Sequence, residues 1–336
     1  MNGLERVVKA IELSGPDRVP VKHSTLPGAF LKYGRLLEEI YERYPSDIVY
    51  LPMANEEEYS PQLRVESRDR WGCVWYRTRD DFKGQVIRHP LDDWSKLSFY
   101  QFPDPLNWPE FSLAEKIIRK HHGIYYVLVD GDTLWQRMFY LRGMKEILVD
   151  IVKDREEVYI LRDKILEYIL KRVERFAKMG ADGVWFRDDW GTQYNLMIRP
   201  TVWRKIFKPA YQEMFRAVHD GGMHVFFHSD GMIKHIIGDL IEIGADVLNL
   251  QLPTMDIFQL GKEFGGKVCF LGGLDRQRIL PFGKPDDVRR HALEIIEAFG
   301  RYNGGYIGEG EVGPDVPLEN VKAMLETFYK YKYYIS

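Results

Sequence analysis

The sequence predicts a (β/α)8 barrel of the TIM type, and three observations carry that reading. Eight short apolar runs recur along the chain, each ending in a polar residue or a glycine turn. Segments with helical spacing lie between them, the alternation that builds a parallel sheet, and eight such units argue for closure. Most of the runs are apolar without a break, as expected of strands covered on both faces. In order they are Val19–Val21, Ile48–Leu51, Tyr125–Val129, Gly183–Phe186, His224–Phe227, Val247–Leu250, Val268–Leu271 and Gly305–Ile307.

The intervening segments follow the same logic. Met144 to Lys178 places Ile147, Ile151, Val158, Leu161, Ile165 and Ile169 at helical spacing, and it stops at Gly180, suited to a left-handed cap. Trp203–Val218, Met232–Ile243, Asp286–Phe299 and Pro317–Tyr329 read alike, with Pro200, Pro285 and Pro317 at helix starts, where the missing N–H costs nothing. A barrel needs about 250 residues, and the chain has 336. The surplus is expected as an insertion, residues 54–109, after the second strand: a β-ribbon from Trp71–Trp75 and Gln85–Arg88, then a proline-rich passage, folded over the barrel mouth of a single domain spanning 1–336.

Lys plus Arg number 47 against 50 Asp plus Glu, a net charge of −3, so no global field recruits nucleic acid or an anionic membrane. No apolar run has membrane-spanning length, and the first residues lack a signal-peptide core. Two cysteines, Cys73 and Cys269, argue against a disulfide framework and for a cytoplasmic setting.

In such a barrel, chemistry sits at the carboxyl ends of the strands. That rule gathers His23, Asn55, Asp130, Asp132, Arg187, Asp188, Asp189, Trp190, His228, Asp230, Gln251, Asp275, Glu309 and Glu311 at one rim. The sharpest element is His228-Ser229-Asp230-Gly231, where Gly231 permits a break that turns both side chains toward the axis. Imidazole with carboxylates is an acceptable ligand set for zinc and similar ions, with Glu309 or Glu311 completing the shell. The same pair also suits a hydrogen-bonded general base without a metal, or a satisfied histidine near the core. Asp188 and Asp189 repel each other as neighbours, so one is expected to face the mouth while the other pairs with Arg187 or caps a helix. Gly272-Gly273-Leu274-Asp275 is either an anion-accepting turn or only a tight turn. Trp71, Trp75, Trp94, Trp108, Trp135 and Trp190 either line a pocket for a flat substrate or pack the core. No Ser or Cys nucleophile motif and no P-loop is present.

The runs Arg187-Asp188-Asp189-Trp190-Gly191-Thr192-Gln193, Phe227-His228-Ser229-Asp230-Gly231, Asp239–Asn249, Gly272–Asp275 and Asp315–Val321 resemble the uroporphyrinogen decarboxylase superfamily nearly end to end. The resemblance implies a TIM barrel, often a homodimer, with one of two activities. Decarboxylases of the family bind a tetrapyrrole through arginines after the first strand, an aspartate after the second and a histidine after the eighth. Here the first loop, His23–Ala29, has no arginine, Asp47 precedes its strand and so sits at the wrong end, and Gly310 stands near the expected histidine. The other branch resembles cobalamin-dependent methyltransferases, whose zinc motif is His-x-Cys on strand five with a second Cys after strand eight. This chain keeps His228, with Asp230 for the first cysteine and Glu309 and Glu311 near the second. Carboxylates for thiolates make the site harder and leave the metal open, zinc being the first expectation.

The expected function is therefore a metal-assisted, corrinoid-linked methyltransferase. It takes a divalent metal on His228, Asp230, Glu309 and Glu311, catalytic roles for His228, Asp188 and Asp189, and substrate contacts from His23, Asn55, Asp132, Arg187, Trp190, Gln251 and Asp275. Its partners are a corrinoid protein and a small molecule. The alternatives are a metal-independent decarboxylase or lyase on a small carboxylic acid or porphyrinogen-like substrate, and a binding protein without catalysis.

Overall fold

Period-two alternation in the strands decides where the core lies, because successive side chains point to opposite faces of a sheet. A computed structural model describes residues 1–52, 63–78 and 84–332. Among these, strands are β1 (Ser24–Thr25), β2 (Ile48–Leu51), β3 (Ser67–Arg68), β4 (Val74–Tyr76), β5 (Gln85–Arg88), β6 (Tyr126–Asp130), β7 (Gly183–Arg187), β8 (His224–Ser229), β9 (Val247–Leu250), β10 (Cys269–Leu271), β11 (Tyr306–Ile307) and β12 (Glu311–Val312). Seven form one curled parallel sheet in the order β11-β10-β9-β8-β7-β6-β2. Ile48, Tyr126, Leu128, Trp185, Phe226, Val247, Cys269, Leu271 and Ile307 point inward and pack together. The alternate residues, among them Val127, Val184, Phe186, Val225, Phe227, Leu248 and Phe270, belong to the larger cluster that includes residues of the surrounding helices. This is a TIM-like barrel, as the sequence predicts.

The eighth position is where expectation and structure differ. Val19–Val21 is not a ladder strand. It makes one bridge, Val21 to Gly308, and Asp47 donates its N–H to the Val21 carbonyl at 2.8 Å. The reason is local: Pro20 has no N–H, and the Val21 amide is taken by the Asp47 carboxylate at 2.8 Å. Pairing resumes further along, where β1 runs parallel to β12. Two long helical stretches also break: Met144–Val152 and Glu156–Met179 are separated at Asp154 (φ +54°), and Pro200–Ile206 and Lys208–Asp220 at Phe207. Gly180 does end its helix in the left-handed region, at φ 83° and ψ 35°.

At the N-terminal end of the barrel, α1 (Gly3–Ile11) lays Val7, Ala10 and Ile11 against the inward-facing residues and stoppers the interior. The same end shows a repeated device. Asp47, Asp182 and Asp246 each directly precede a strand, and each carboxylate accepts an amide of the adjacent segment: Val21, just before β1, Val127 in β6 and Val225 in β8, at 2.8, 2.7 and 2.7 Å. Each such bond fixes one segment's register on the next. Asp47 thus lies at the end away from the mouth, held by Arg6 at 2.6 Å and Arg18 at 2.8 Å.

The insertion forms an antiparallel sheet β3-β4-β5, one strand more than the expected ribbon. Its Trp71 packs edge-on to Tyr168 and lies under Arg137, and Trp75 packs on Tyr140. The described part of the insertion therefore packs against helices Trp135–Arg142 and Glu156–Met179. Among the described residues no helix is long and apolar enough to cross a membrane, and Cys73 and Cys269 are buried thiols.

Candidate active site

Continuing the inward alternation by one more step leads to the site. Two residues beyond Ile48, Leu128, Trp185, Phe226, Val247 and Ile307 stand Tyr50, Asp130, Arg187, His228, Asn249 and Glu309. The apolar interior thus ends in a polar layer, which opens into a cleft of about 660 Å3 at the carboxyl ends of the strands. His23, Lys22, Trp185, Gln251, Asp275, Arg276 and Glu311 also line it.

His228 is the centre. Its Nε2 lies 3.4 Å from Asp189 Oδ1 and 3.9 Å from Asp230 Oδ1, and its Nδ1 lies 2.6 Å from Asn249 Oδ1. One ligand-type atom from each of Asp189, His228 and Asp230 falls within 4.8 Å of the others, a spacing that suits a single cation. Asp189 is fixed from behind by the Asp230 N–H at 2.9 Å and the Gln136 side-chain amide at 2.7 Å. Burial pulls the imidazolium down, but the hydrogen bond and charge of Asp189, then the charge of Asp230 and the Asn249 bond, outweigh it and hold it up at about 9. Burial pushes the Asp189 carboxyl up, and the same His228 contact overrides that and takes it below the ordinary range. Without a cation the pair is imidazolium and carboxylate; a cation on Nε2 must displace that proton.

Two glycines allow this geometry. Gly231 has φ +78°, and a Cβ there would lie 2.3 Å from the Gly191 carbonyl carbon; one on Gly191 would lie 2.5 Å from that of Gly231. The loops after β7 and β8 therefore touch backbone to backbone, tied by Gly191 N–H to Asp230 O at 3.1 Å and Met232 N–H to Thr192 O at 2.7 Å.

Several other expected residues line the cleft. His23 donates from Nε2 to the Tyr44 carbonyl at 2.8 Å and stacks on Tyr41, with burial pulling its pKa down to about 4, so it is neutral. Gln251 accepts the Gly231 N–H, Asp275 accepts the amides of Gln277 and Arg278, and Arg187 pairs with Asp130.

Other expectations are corrected. Glu309 and Glu311 lie outside the three-residue cluster: Glu309 bonds Lys22 Nζ at 2.5 Å and Asn249 Nδ2 at 3.0 Å, and Glu311 pairs with Arg276. Asp188 does not reach the cleft. It is wholly buried and accepts the amides of Leu134 and Gln136, both at 2.9 Å, and the Tyr211 hydroxyl at 2.7 Å. It serves as the expected cap, but for the helix Trp135–Arg142. Burial pushes its carboxyl up to about 7 against those three bonds. Trp190 is core: it stacks on Trp135 at 4.7 Å and donates to the Tyr211 hydroxyl. Asp132 is buried beside Arg137, 3.2 Å away, and is not among the lining residues. Asn55 lies outside the described residues. None of the six tryptophans singled out above lines the cleft; the pocket tryptophan is Trp185, inside a strand. Lys22, Tyr50, Trp185 and Asn249 also line the cleft and are not among the residues expected from sequence: Tyr50, Trp185 and Asn249 lie inside their strands and Lys22 directly follows Val21, and the signal that picks them out is inward parity.

A TIM-like barrel whose polar residues converge at the carboxyl ends of its strands is the class that fold and site define. Residues 83–331 match the family model described as uroporphyrinogen decarboxylase (URO-D). The chain belongs to that family, an enzyme superfamily. It is 28% identical over 264 residues to uroporphyrinogen decarboxylase of Legionella pneumophila (strain Corby), covering 74% of this chain and 71% of the relative. With the Chlorobium phaeobacteroides protein of the same name it shares 27% over 170 residues, 48% of this chain, and the match spans less than half of that relative's length, 44%. Among solved structures, a methyltransferase from Methanosarcina mazei superposes with a TM-score of 0.77 at 19% identity, over 98% of this chain and 99% of that one.

Proposed function

We propose that this protein is a methyltransferase that works with a corrinoid carried by a partner protein, and that His228, Asp189 and Asp230 hold a divalent cation at the reacting centre. The observation that carries this reading is the cluster itself, three convergent donors of which His228 and Asp230 line an open cleft and Asp189 stands directly behind the imidazole. Its nitrogen and carboxylate atoms suit a borderline or hard divalent ion. When bound, such an ion supplies Lewis acidity, lowering the pKa of a bound nucleophile or polarising a methoxy oxygen. Around it, Lys22 pairs with Glu309 and rests over the Trp185 ring, which packs edge-on to Tyr50. The whole-length likeness to the Methanosarcina mazei methyltransferase is in keeping with this reading.

Decarboxylation of a polycarboxylate is the contrasting reading, drawn from the names of the curated relatives. The ion pairing in the cleft argues against it. Lys22 is paired with Glu309, Arg187 with Asp130 and Arg276 with Glu311, so each of these cations is already matched by an acid. Asp188, buried under its helix cap, cannot reach a substrate as proton donor.

Loading the purified protein with Zn2+ or Co2+ and measuring bound metal, alongside His228→Ala and Asp189→Ala, tests the cation. The wild type is expected to retain one equivalent and the variants little; equal retention in all three removes the site. Demethylation of methylcobalamin, followed by its visible spectrum in the presence of candidate acceptors, tests the corrinoid link, and complete inertness toward every corrinoid tried would reject it.

A further inference from the structure

We infer that Asn249 is a positioning residue: its side-chain oxygen holds a proton on His228 Nδ1, which leaves Nε2 as the ring atom available to a cation shared with Asp189 and Asp230. The inference rests on the cation reading only for its consequence, not for its geometry. His228 Nδ1 and Asn249 Oδ1 are 2.6 Å apart, and which of them donates depends on which way the Asn249 amide faces.

The surroundings settle the amide. Its nitrogen donates to the Leu271 carbonyl at 2.8 Å and to Glu309 Oε2 at 3.0 Å, and both of those partners are acceptors only. Turning the amide over would set its oxygen against a carbonyl and a carboxylate at once and present N–H groups to the imidazole. Glu309 is itself paired with Lys22 Nζ at 2.5 Å, and both side chains are more than nine-tenths buried. Lys22 Nζ also rests 4.5 Å from the centroid of the Trp185 ring. The order Lys22, Glu309, Asn249, His228 is therefore a chain in which each member fixes the orientation of the next. At its far end, the ring nitrogen facing Asp189 and Asp230 is the one without the structural proton. A ligating histidine oriented by a partner on its other nitrogen is the general requirement for a well-formed metal site. Here the partner is an amide on β9 rather than a carboxylate.

The test reads the ring directly. Histidine labelled with 15N is incorporated, and the His228 signals are assigned by their loss in His228→Asn. At a pH alkaline enough to leave the ring neutral, the wild-type proton is expected on Nδ1; a proton on Nε2 overturns the inference with no variant of Asn249 needed. Asn249→Leu is expected to lose that tautomer preference and to bind Co2+ about 10- to 100-fold more weakly. Asn249→Asp, which keeps an acceptor toward Nδ1, is expected to retain the tautomer. An unchanged tautomer and unchanged Co2+ affinity in Asn249→Leu would reject the assignment while leaving the cation site standing. A wild type that binds no Co2+ but keeps the Nδ1 proton would do the reverse.

Discussion

The two ends of the barrel use carboxylates in opposite ways. At the N-terminal end, Asp47, Asp182 and Asp246 take backbone amides of adjacent segments, and Asp47 is further matched by Arg6 and Arg18. At the C-terminal end, Asp189 and Asp230 converge on one imidazole beside an open cleft. The first arrangement leaves little to recognise anything else and fixes register. The second leaves lone pairs facing space that a ligand can enter, which folding does not require.

The largest effect expected to sharpen that contrast is kinetic. His228→Ala should lower the proposed methyl transfer by at least ~10²-fold per folded molecule, measured by steady-state assay beside calorimetry that gives the folded fraction. An unchanged rate in the folded fraction would place His228 with the structural groups instead. Asp47→Ala should behave in the opposite manner. It removes a buried partner from two guanidiniums and an acceptor from the Val21 amide, a loss of about 3–5 kcal/mol in urea unfolding, with the activity of the folded fraction unchanged.

Much of this division is legible in the sequence, and the failures are instructive. Asp47 could be assigned to the far end because it precedes its strand, and His228 to the mouth because it closes one. Asp188 and Trp190 were placed in the site by the same rule and are not there. After β7 the chain turns, so Asp188 points outward beneath a helix while Asp189 points in. Inward parity counted from Trp185 would have selected Arg187 and left the next residues open. The cap donated to Trp135–Arg142 lies 52 and 54 residues away in sequence, beyond any local spacing rule. Glu309 and Glu311 line the cleft, but their partners, Lys22 and Arg276, come from distant segments whose proximity only the closed barrel creates.

A smaller effect separates core from site at Trp190. Trp190→Phe should cost about 1–2 kcal/mol through the lost Tyr211 hydrogen bond and imperfect packing, with kcat/KM unaltered. A selective rise in KM would return Trp190 to the substrate. The smallest effect concerns acid stability at the closed end. Burial pushes the Asp17 carboxyl up, but the hydrogen bond and charge of Arg6, with the amino terminus, hold it down at about 2. Its unfolded value is about 3.9, so its contribution is complete above that pH and fades as the pH falls toward 2. Asp17→Asn should therefore destabilise the protein at neutral pH by less than about 1 kcal/mol, since the group is partly exposed and screened. The gap from wild type should close in acid, as followed by circular dichroism across a pH series; a gap that widens in acid would show that Arg6 is not its main partner.

The contact between Gly191 and Gly231 has a consequence for how this site can diverge. Because no side chain separates the two loops, the spacing between positions 189 and 230 belongs to the main chain. Exchanging the group at 230 for a thiol or an amide changes the hardness of the donor without moving its address. A methyl group added at either glycine does the converse, keeping every donor and losing the spacing. On the proposed cation reading, one barrel can thus be retuned for different ions by single replacements at its rim, provided that the two glycines stay bare.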